Sequence, residues 1–191
     1  MGSGLILMFS MLISTPIGIL AGIYLAEYGR VSKFASFTRF MTDIMLSAPS
    51  IVIGLFVYAL FVVTTGGFSG WAGALALALI AIPVVVRTTE NMLKLVPTSL
   101  REAAFAVGAP RWQVSLKVTL RAVKSGVVTG VLLAMARITG ETAPLLILGP
   151  YTKSINLDLF HGNMASLPTM INQDRTEFLD AAVQRTWGAA L

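Results

Sequence analysis

Residues 44–86, IMLSAPSIVIGLFVYALFVVTTGGFSGWAGALALALIAIPVVV, contain no charged side chain. A helix that crosses the hydrocarbon core of a bilayer needs about 20 apolar residues, so this stretch is too long for one crossing. The cluster TTGGFSG at 64–70 is rich in turn-forming residues and divides the stretch in two. We therefore predict two membrane spans, at about 44–63 and 71–86.

The composition supports an all-α integral membrane protein. The chain has 191 residues, of which 55% are hydrophobic and 12% charged, and its mean hydropathy is +0.79. Soluble domains carry about 25% charged residues, so the chain has too little polar surface to cover a water-soluble globule. It has no cysteine and a single histidine, His161, which excludes thiolate chemistry and a histidine-based metal site. We predict no metal and no cofactor.

Further apolar runs extend this pattern outward along the chain. They predict one span at about 4–25, interrupted by polar residues and Pro16, and another at 125–148. A last span begins near 180 and is cut off by the end of the sequence. We predict one transmembrane domain over 1–191, with a segment at 87–124 and a polar loop at 149–179 connecting its spans. Both ends look cut, so we expect the chain to be part of a longer one.

The basic residues set the orientation of these spans. Segments 28–42 and 87–124 hold ten of the fourteen lysines and arginines, whereas the hairpin at 64–70 holds none. Loops with excess Lys and Arg lie on the cytoplasmic side of a membrane. The two basic segments are therefore predicted to be cytoplasmic and the loop at 149–179 external. This orientation accounts for the positive charge without nucleic-acid binding.

One cytoplasmic stretch, VPTSLREAAFAVGAPRW at 96–112, predicts a short helix. Pro97 precedes its start, Thr98 or Ser99 would cap it, and Gly108 would end it. The pattern fits a connector lying on the membrane surface. The alternative, which the pattern favours less, is an amphipathic helix that docks into a groove of a partner protein.

The same stretch resembles the EAA loop of the permease subunits of ABC importers. The matching residues are Glu102, Ala103, Ala104 and Gly108. Arg121 stands where that family has proline at the end of the motif. GETAPLL at 140–146 and NMASLP at 163–168 further resemble the permease subunits of the bacterial phosphate-specific ABC transporter.

The resemblance implies a fold, a function and a set of partners. The fold is the helical bundle of type I ABC importer permeases, here without its first span and most of its last. The function is import of inorganic phosphate across a bacterial inner membrane, without catalysis by this chain. The partners are a cytoplasmic ABC ATPase dimer, a homologous second permease, a phosphate-binding protein and membrane lipid. Residues Glu102, Ala103, Ala104 and Gly108 would couple the chain to the ATPase.

Three charged residues are candidates for the substrate pathway. Arg137 and Glu141 lie four apart inside the predicted span at 125–148, where one helix would place them on the same face. Such a pair either fixes helix packing or marks a polar pathway, the common role of charges within membranes. Arg87, in VVRTTE, either anchors its span at the interface or assists the anion, as the resemblance implies. Asp43 is expected to be solvated at the membrane surface.

Two other functions remain open at this point. The chain could serve an ABC importer for another solute, although an arginine at mid-membrane favours an anion over a sugar. It could also be a non-transporting membrane scaffold or a channel, against which the EAA motif argues. No GxxxxGK[ST] phosphate-binding loop occurs in the sequence, so ATP hydrolysis by that motif would have to come from a partner.

Overall fold

The computed structural model describes residues 2–29, 32–149, 152, 156, 158–160, 162–175, 177 and 180–190. Within these ranges the chain forms helices and no strand, as an all-α membrane fold requires. The helical segments are α1 (Gly2–Ile23, continued by a π-helical turn at Tyr24–Tyr28), α2 (Lys33–Ser47), α3 (Ser50–Val57, continued through Tyr58–Val62 and Val63–Thr65), α4 (Gly70–Lys94), α5 (Thr98–Ala106), α6 (Arg111–Gln113, continued through Val114–Thr119 and Leu120–Ala122), α7 (Lys124–Thr139), α8 (Ala143–Leu148), α9 (Leu167–Asp174) and α10 (Asp180–Ala190).

Two of the described helices are long and apolar enough to cross a membrane alone. They are Gly2–Tyr28 and Gly70–Lys94. Two further pairs of helices pass the same test if each bent pair is counted as one span, namely α2 with α3 and α6 with α7. The membrane topology of the predicted spans remains a prediction.

The chain divides into two compact units. The first unit comprises Met1–Leu12, Ala48–Ile80 and Ala136–Leu191. The second unit comprises Ile13–Ser47 and Ala81–Met135. The residues of each unit are therefore brought together from distant parts of the sequence.

The predicted span at 44–63 differs from the helices that the structure forms there. Helix α2 begins at Lys33 and ends at Ser47, and α3 begins at Ser50 after Pro49. Proline has no N–H to donate and disfavours helical geometry in the residue before it. Pro49 therefore ends one helix and starts the next, a local signal that hydropathy alone does not report.

Helix α4 also extends beyond the predicted boundary at Val86, since it continues to Lys94. The boundary at 86 marks only the first charged residue, Arg87. Helical spacing continues past it, because Glu90 pairs with Arg87 three residues before it and with Lys94 four residues after it. These ion pairs on one helix face balance the charges, so the helix continues past Arg87.

The predicted span at 125–148 is broken into two helices. Helix α7 ends at Thr139 and α8 begins at Ala143, with Pro144 in its first turn. The intervening residues 140–142 are not helical. Gly140 and Pro144 favour such a break, because glycine weakens a helix and proline begins one.

A helix occupies part of the segment predicted to be a polar loop at 149–179. Helix α9, Leu167–Asp174, is started by a capping box in which the Ser166 hydroxyl accepts from the Thr169 N–H and the Thr169 hydroxyl accepts from the Ser166 N–H. Such reciprocal bonds satisfy two backbone donors at a helix start. The serine and threonine three residues apart are the sequence signal for this helix.

In the second unit, glycines allow helices to approach both sides of α4. A Cβ on Gly22 of α1 would lie 2.6 Å from the Cβ of Thr89, and one on Gly130 of α7 would lie 2.5 Å from the Oγ1 of Thr88. Neither distance is possible for real atoms in contact. Close helix approach through small residues is a common packing device in membrane proteins. Here it brings α1 and α7 against α4 at Thr88 and Thr89, next to the charged site.

In the first unit, α8 packs closely against α3. A Cβ on Gly54 would lie 2.7 Å from the Cα of Pro144, so only glycine permits this approach. Buried apolar side chains continue the contact, and they are Val57, Val62, Ala72, Ala76 and Leu148. This packing holds α8 in place directly after the break at 140–142.

Candidate functional site

Helix α5 presents most of the EAA motif to the outside of the chain. Glu102 and Ala103 are exposed, and Ala104 is half-buried. Phe105 is 46% exposed, and Val107, just after the helix, is 84% exposed. The helix therefore offers a surface of small, apolar and acidic side chains for a partner to contact.

The start of α5 differs from the sequence prediction. The sequence predicts Thr98 or Ser99 as the cap, but Pro97 occupies the capping position and no side chain caps the helix. Pro97 has φ −59° and ψ 145°, an extended geometry from which Thr98 enters the helix as its first residue. Proline fixes this entry because its φ is locked near the observed value.

The end of α5 explains the glycine of the EAA motif. Gly108 has φ +82°, in the left-handed region that favours glycine. Its N–H donates to the Phe105 carbonyl at 2.9 Å, and the Ala109 N–H donates to the Ala104 carbonyl at 3.2 Å. These two bonds form a Schellman motif, which satisfies carbonyls left open at a helix end. Gly108 therefore ends the exposed helix sharply.

A cavity of about 320 Å³ lies beside α5 within the second unit. Its lining includes the side chains of Glu27, Arg101, Glu102, Phe105, Arg111 and Ser115. Acidic, basic and aromatic groups thus surround a space large enough for a side chain of another protein.

The charged site on α4 is built around Glu90, whose side chain is fully buried. Its Oε1 accepts from Arg39 Nε at 2.7 Å and lies 2.7 Å from Lys94 Nζ. Its Oε2 accepts from Arg87 Nη1 at 3.3 Å. A carboxylate removed from water is stable only when paired and hydrogen-bonded, and three cations meet that need here.

Arg87 extends this cluster to a second carboxylate, Asp43. Arg87 Nε donates to Asp43 Oδ1 at 3.0 Å, and Arg87 Nη2 contacts the same oxygen. The side chain of Asp43 is 56% exposed and that of Arg87 is 25% exposed. Asp43, expected to be merely solvated, therefore has a partner. Arg39, Arg87 and Lys94 face two carboxylates, so the cluster has one positive charge in excess.

Sequence reasoning selected Arg87 but missed Glu90, Arg39 and Lys94. The helical spacing of Arg87, Glu90 and Lys94 was available as a signal, because residues three and four apart share a helix face. Arg39 had no such signal. It comes from α2, and its Nη2 also donates to the Leu25 carbonyl at 2.7 Å.

Arg137 lies in the last turn of α7, in the first unit, and its side chain is exposed. The apolar residues Leu132, Leu133 and Met135 near it on α7 are also exposed, at 58%, 59% and 43%. A charged side chain at membrane depth needs a water-filled cavity, a partner or the bundle interior around it. Arg137 thus lies on an exposed face of α7 that also carries apolar side chains.

The predicted pairing of Arg137 with Glu141 is wrong. Helix α7 ends at Thr139, so Glu141 does not follow Arg137 on a continuous helix. Glu141 is half-buried in the break, where its N–H donates to the Ile138 carbonyl at 3.3 Å. Among the ion pairs between described residues, none joins these two side chains. Arg87 lies in the other unit.

No metal-binding group emerges from the described part of the chain. Among these residues, no three His, Cys, Asp or Glu side chains cluster so that they could hold a metal ion. His161 lies outside the described residues.

Three curated proteins similar to this chain carry the description phosphate transport system permease protein PstA. The chain is 58% identical to that of Yersinia pestis over 170 residues, covering 89% of this chain and 57% of the relative. It is 59% identical to that of Haemophilus influenzae over 172 residues, covering 90% and 61%. It is 48% identical to that of Xylella fastidiosa over 191 residues, covering 100% and 66%. The chain thus spans about three fifths of the length of these relatives.

A solved structure shares the fold. A chain from inward-facing conformations of the MetNI methionine ABC transporter superposes with a TM-score of 0.73 at 21% identity, covering 99% of this chain and 81% of that chain. At this identity the likeness concerns the fold alone, which is that of type I ABC importer permeases. Residues 18–189 also match the family model described as binding-protein-dependent transport system inner membrane component. The chain belongs to this family of transport-system membrane components.

Proposed function

We propose that this chain is the transmembrane permease subunit of an ABC importer that moves inorganic phosphate into the cytoplasm of a bacterium. The observation that carries the proposal is its identity of 48% to 59% with proteins described as phosphate transport permeases. The chain resides in the inner membrane, with segments 28–42 and 87–124 facing the cytoplasm.

The energy for transport comes from a partner, and the chain itself catalyses no covalent step. The partner is a cytoplasmic ABC ATPase dimer that receives α5 in a surface groove. Exposed Glu102 and Ala103 and the sharp helix end at Gly108 support this docking. A homologous permease completes the pathway, and a phosphate-binding protein delivers the anion from outside. Nucleic acid has no part in this function.

Arg87 assists phosphate at one stage of its passage. An arginine matches phosphate oxygens with its planar fork and remains charged at every relevant pH. Arg87 is held by exposed Asp43 and buried Glu90, in a cluster with one excess positive charge. A phosphate oxygen can replace Asp43, since that carboxylate is open to solvent and its release exposes no buried charge. The competing carboxylates keep Arg87 from holding phosphate too tightly.

Arg137 and Glu141 serve the same pathway as separate groups. The exposed guanidinium of Arg137 attracts the anion. Glu141, in the break between α7 and α8, adds a negative charge that limits how long the anion stays bound. Non-helical backbone at membrane depth is stable only where protein or a water-filled cavity surrounds it, and a pathway provides that cavity.

Uptake of labelled phosphate tests the proposal. The full-length protein would replace the permease of a phosphate transporter in a strain lacking its own, and uptake of phosphate, molybdate and sulfate would be compared. We expect phosphate accumulation that requires the ATPase partner. Preferred uptake of molybdate or sulfate would assign another anion. Uptake of no solute, with no retention of the ATPase in a pull-down, would indicate a scaffold or channel.

A further inference from the structure

The guanidinium of Arg101, on α5, contacts the ends of two long helices. Its Nη1 donates to the Val96 carbonyl at 2.6 Å and its Nη2 donates to the Leu93 carbonyl at 2.8 Å. Its Nη2 also donates to Glu27 Oε1 at 3.0 Å. All these residues belong to the second unit. One side chain thus links α5 to the end of α4 and to the end of α1.

The contacts to α4 add side-chain donors to carbonyls at the end of the helix, where the Leu93 carbonyl also accepts from the Val96 N–H at 3.2 Å. The last carbonyls of a helix have no partner within it. Leu93 lies in the final turn of α4 and Val96 just beyond it. Arginine can serve both carbonyls and a carboxylate together, because its donors spread in a rigid plane. Lysine, with one nitrogen, lacks that spread.

The contact to α1 explains an acidic residue in an unfavourable position. Glu27 lies in the π-helical turn that ends α1, where the helix dipole disfavours negative charge. Arg101 compensates it, since Arg101 Nε lies 3.3 Å from each oxygen of the Glu27 carboxylate. Both side chains are only 11% exposed. Pairs with so little solvent access are weakly screened by salt.

The two charged neighbours on α5 therefore have different surroundings. Glu102 is exposed, whereas Arg101 is held against α1 and α4. A force applied to the exposed surface of α5 would reach both long helices through the contacts of Arg101.

We infer that Arg101 and Glu27 are positioning residues that transmit movement of α5 to α1 and α4 during transport. This inference rests on the proposed function, because it requires an ATPase that moves α5. The link sets how much phosphate moves for each ATP hydrolysed, while docking of the ATPase depends on the exposed residues of the helix.

The test measures phosphate transported per ATP hydrolysed by the complete transporter in vesicles. Arg101→Gln removes the link, Arg101→Lys keeps its charge, and Glu27→Gln keeps its shape and both carbonyl bonds. Arg121→Gln is the matched control, because it removes the same charge from an exposed side chain that forms no ion pair with another described residue.

We expect Arg101→Gln to lower phosphate transported per ATP about tenfold, a typical size for coupling between sites. Glu27→Gln should lower phosphate transported per ATP less, about threefold, because it removes the ion pair but leaves an amide oxygen that can accept from the Arg101 guanidinium. The phosphate transported per ATP by Arg101→Lys should lie between the values for the parent and for Arg101→Gln. The ATPase should remain bound in every variant, and Arg121→Gln should match the parent.

Spin labels supply a second readout that does not depend on transport. Residues 1–191 contain no cysteine, so Leu20→Cys on α1 and Val107→Cys after α5 each place one thiol for a label in this part of the protein. Both positions are exposed, at 65% and 84%. We expect a narrow distribution of distances between the labels in the parent and a broader one when Glu27→Gln or Arg101→Gln is added.

The outcomes separate the two proposals. A parent complex that transports no phosphate overturns the proposed function. A parent that transports phosphate, with unchanged phosphate per ATP and an unchanged label distribution in the variants, overturns the positioning role alone. If Arg101→Gln does not assemble, Glu27→Gln decides by the same two measurements.

Discussion

Replacing Glu90 by glutamine should destabilise the protein far more than a comparable change at Asp43. Glu90 is fully buried and faces Arg39, Arg87 and Lys94. Glutamine has nearly the same shape but no charge. The substitution therefore leaves three basic side chains around a neutral group, and removing one partner of a buried ion pair is costly because the remaining charge is uncompensated.

The magnitude follows from the three contacts. The bond from Arg39 at 2.7 Å is charge-assisted and contributes about 1.5–3 kcal/mol. Lys94 is 52% exposed and Arg87 is 3.3 Å away, so each of these helical pairs contributes about 0.3–0.5 kcal/mol. Glutamine retains one acceptor for Arg39. We therefore expect Glu90→Gln to lower the free energy of unfolding by about 2–3 kcal/mol.

Thermal unfolding of the purified full-length protein in detergent provides the assay. A loss of this size corresponds to a fall in Tm of about 4–12 °C for a chain of this length. Asp43→Asn is the control, because Asp43 is 56% exposed and its pair should contribute less than about 1 kcal/mol. The buried cluster does not stabilise the fold in this way if Glu90→Gln has the Tm of the parent. The same conclusion follows if Asp43→Asn lowers Tm by as much as Glu90→Gln.

Three further predictions concern the helix packing, the docking helix and the pathway. Gly130→Ala should lower the free energy of unfolding by about 1–3 kcal/mol, because the alanine Cβ would collide with Thr88. Gly4→Ala is the control, since a Cβ there would have no atom within 4 Å and should leave that free energy unchanged. Thermal unfolding compares the two variants. Gly108→Ala should weaken ATPase binding in a pull-down, because a left-handed backbone costs alanine about 1–2 kcal/mol, and retention equal to that of the control Gly67→Ala would contradict this. Arg137→Gln and Glu141→Gln should each reduce phosphate uptake at normal protein abundance, and near-normal uptake by both would remove them from the pathway.

The sequence was sufficient for features that depend on composition and nearby residues. The charge-free stretch at 44–86 and the low charge of the whole chain indicated a helical membrane protein, because apolar surface of that extent has to be covered by lipid or protein. The EAA spacing located the exposed helix that ends before Gly108. Pro49 and the pair Ser166 and Thr169 also carried local signals for helix boundaries, although hydropathy did not report them.

The tertiary structure decided which charges meet. Arg39 pairs with Glu90, Arg87 with Asp43 and Arg101 with Glu27, and each pair joins residues far apart in the sequence. Such contacts depend on how helices pack, which the sequence pattern of one helix cannot reveal. The predicted pair of Arg137 and Glu141 is wrong because of the backbone within one segment, not because of packing between helices. It assumed a continuous helix across Gly140, and a break of three residues separates side chains that helical spacing would bring together.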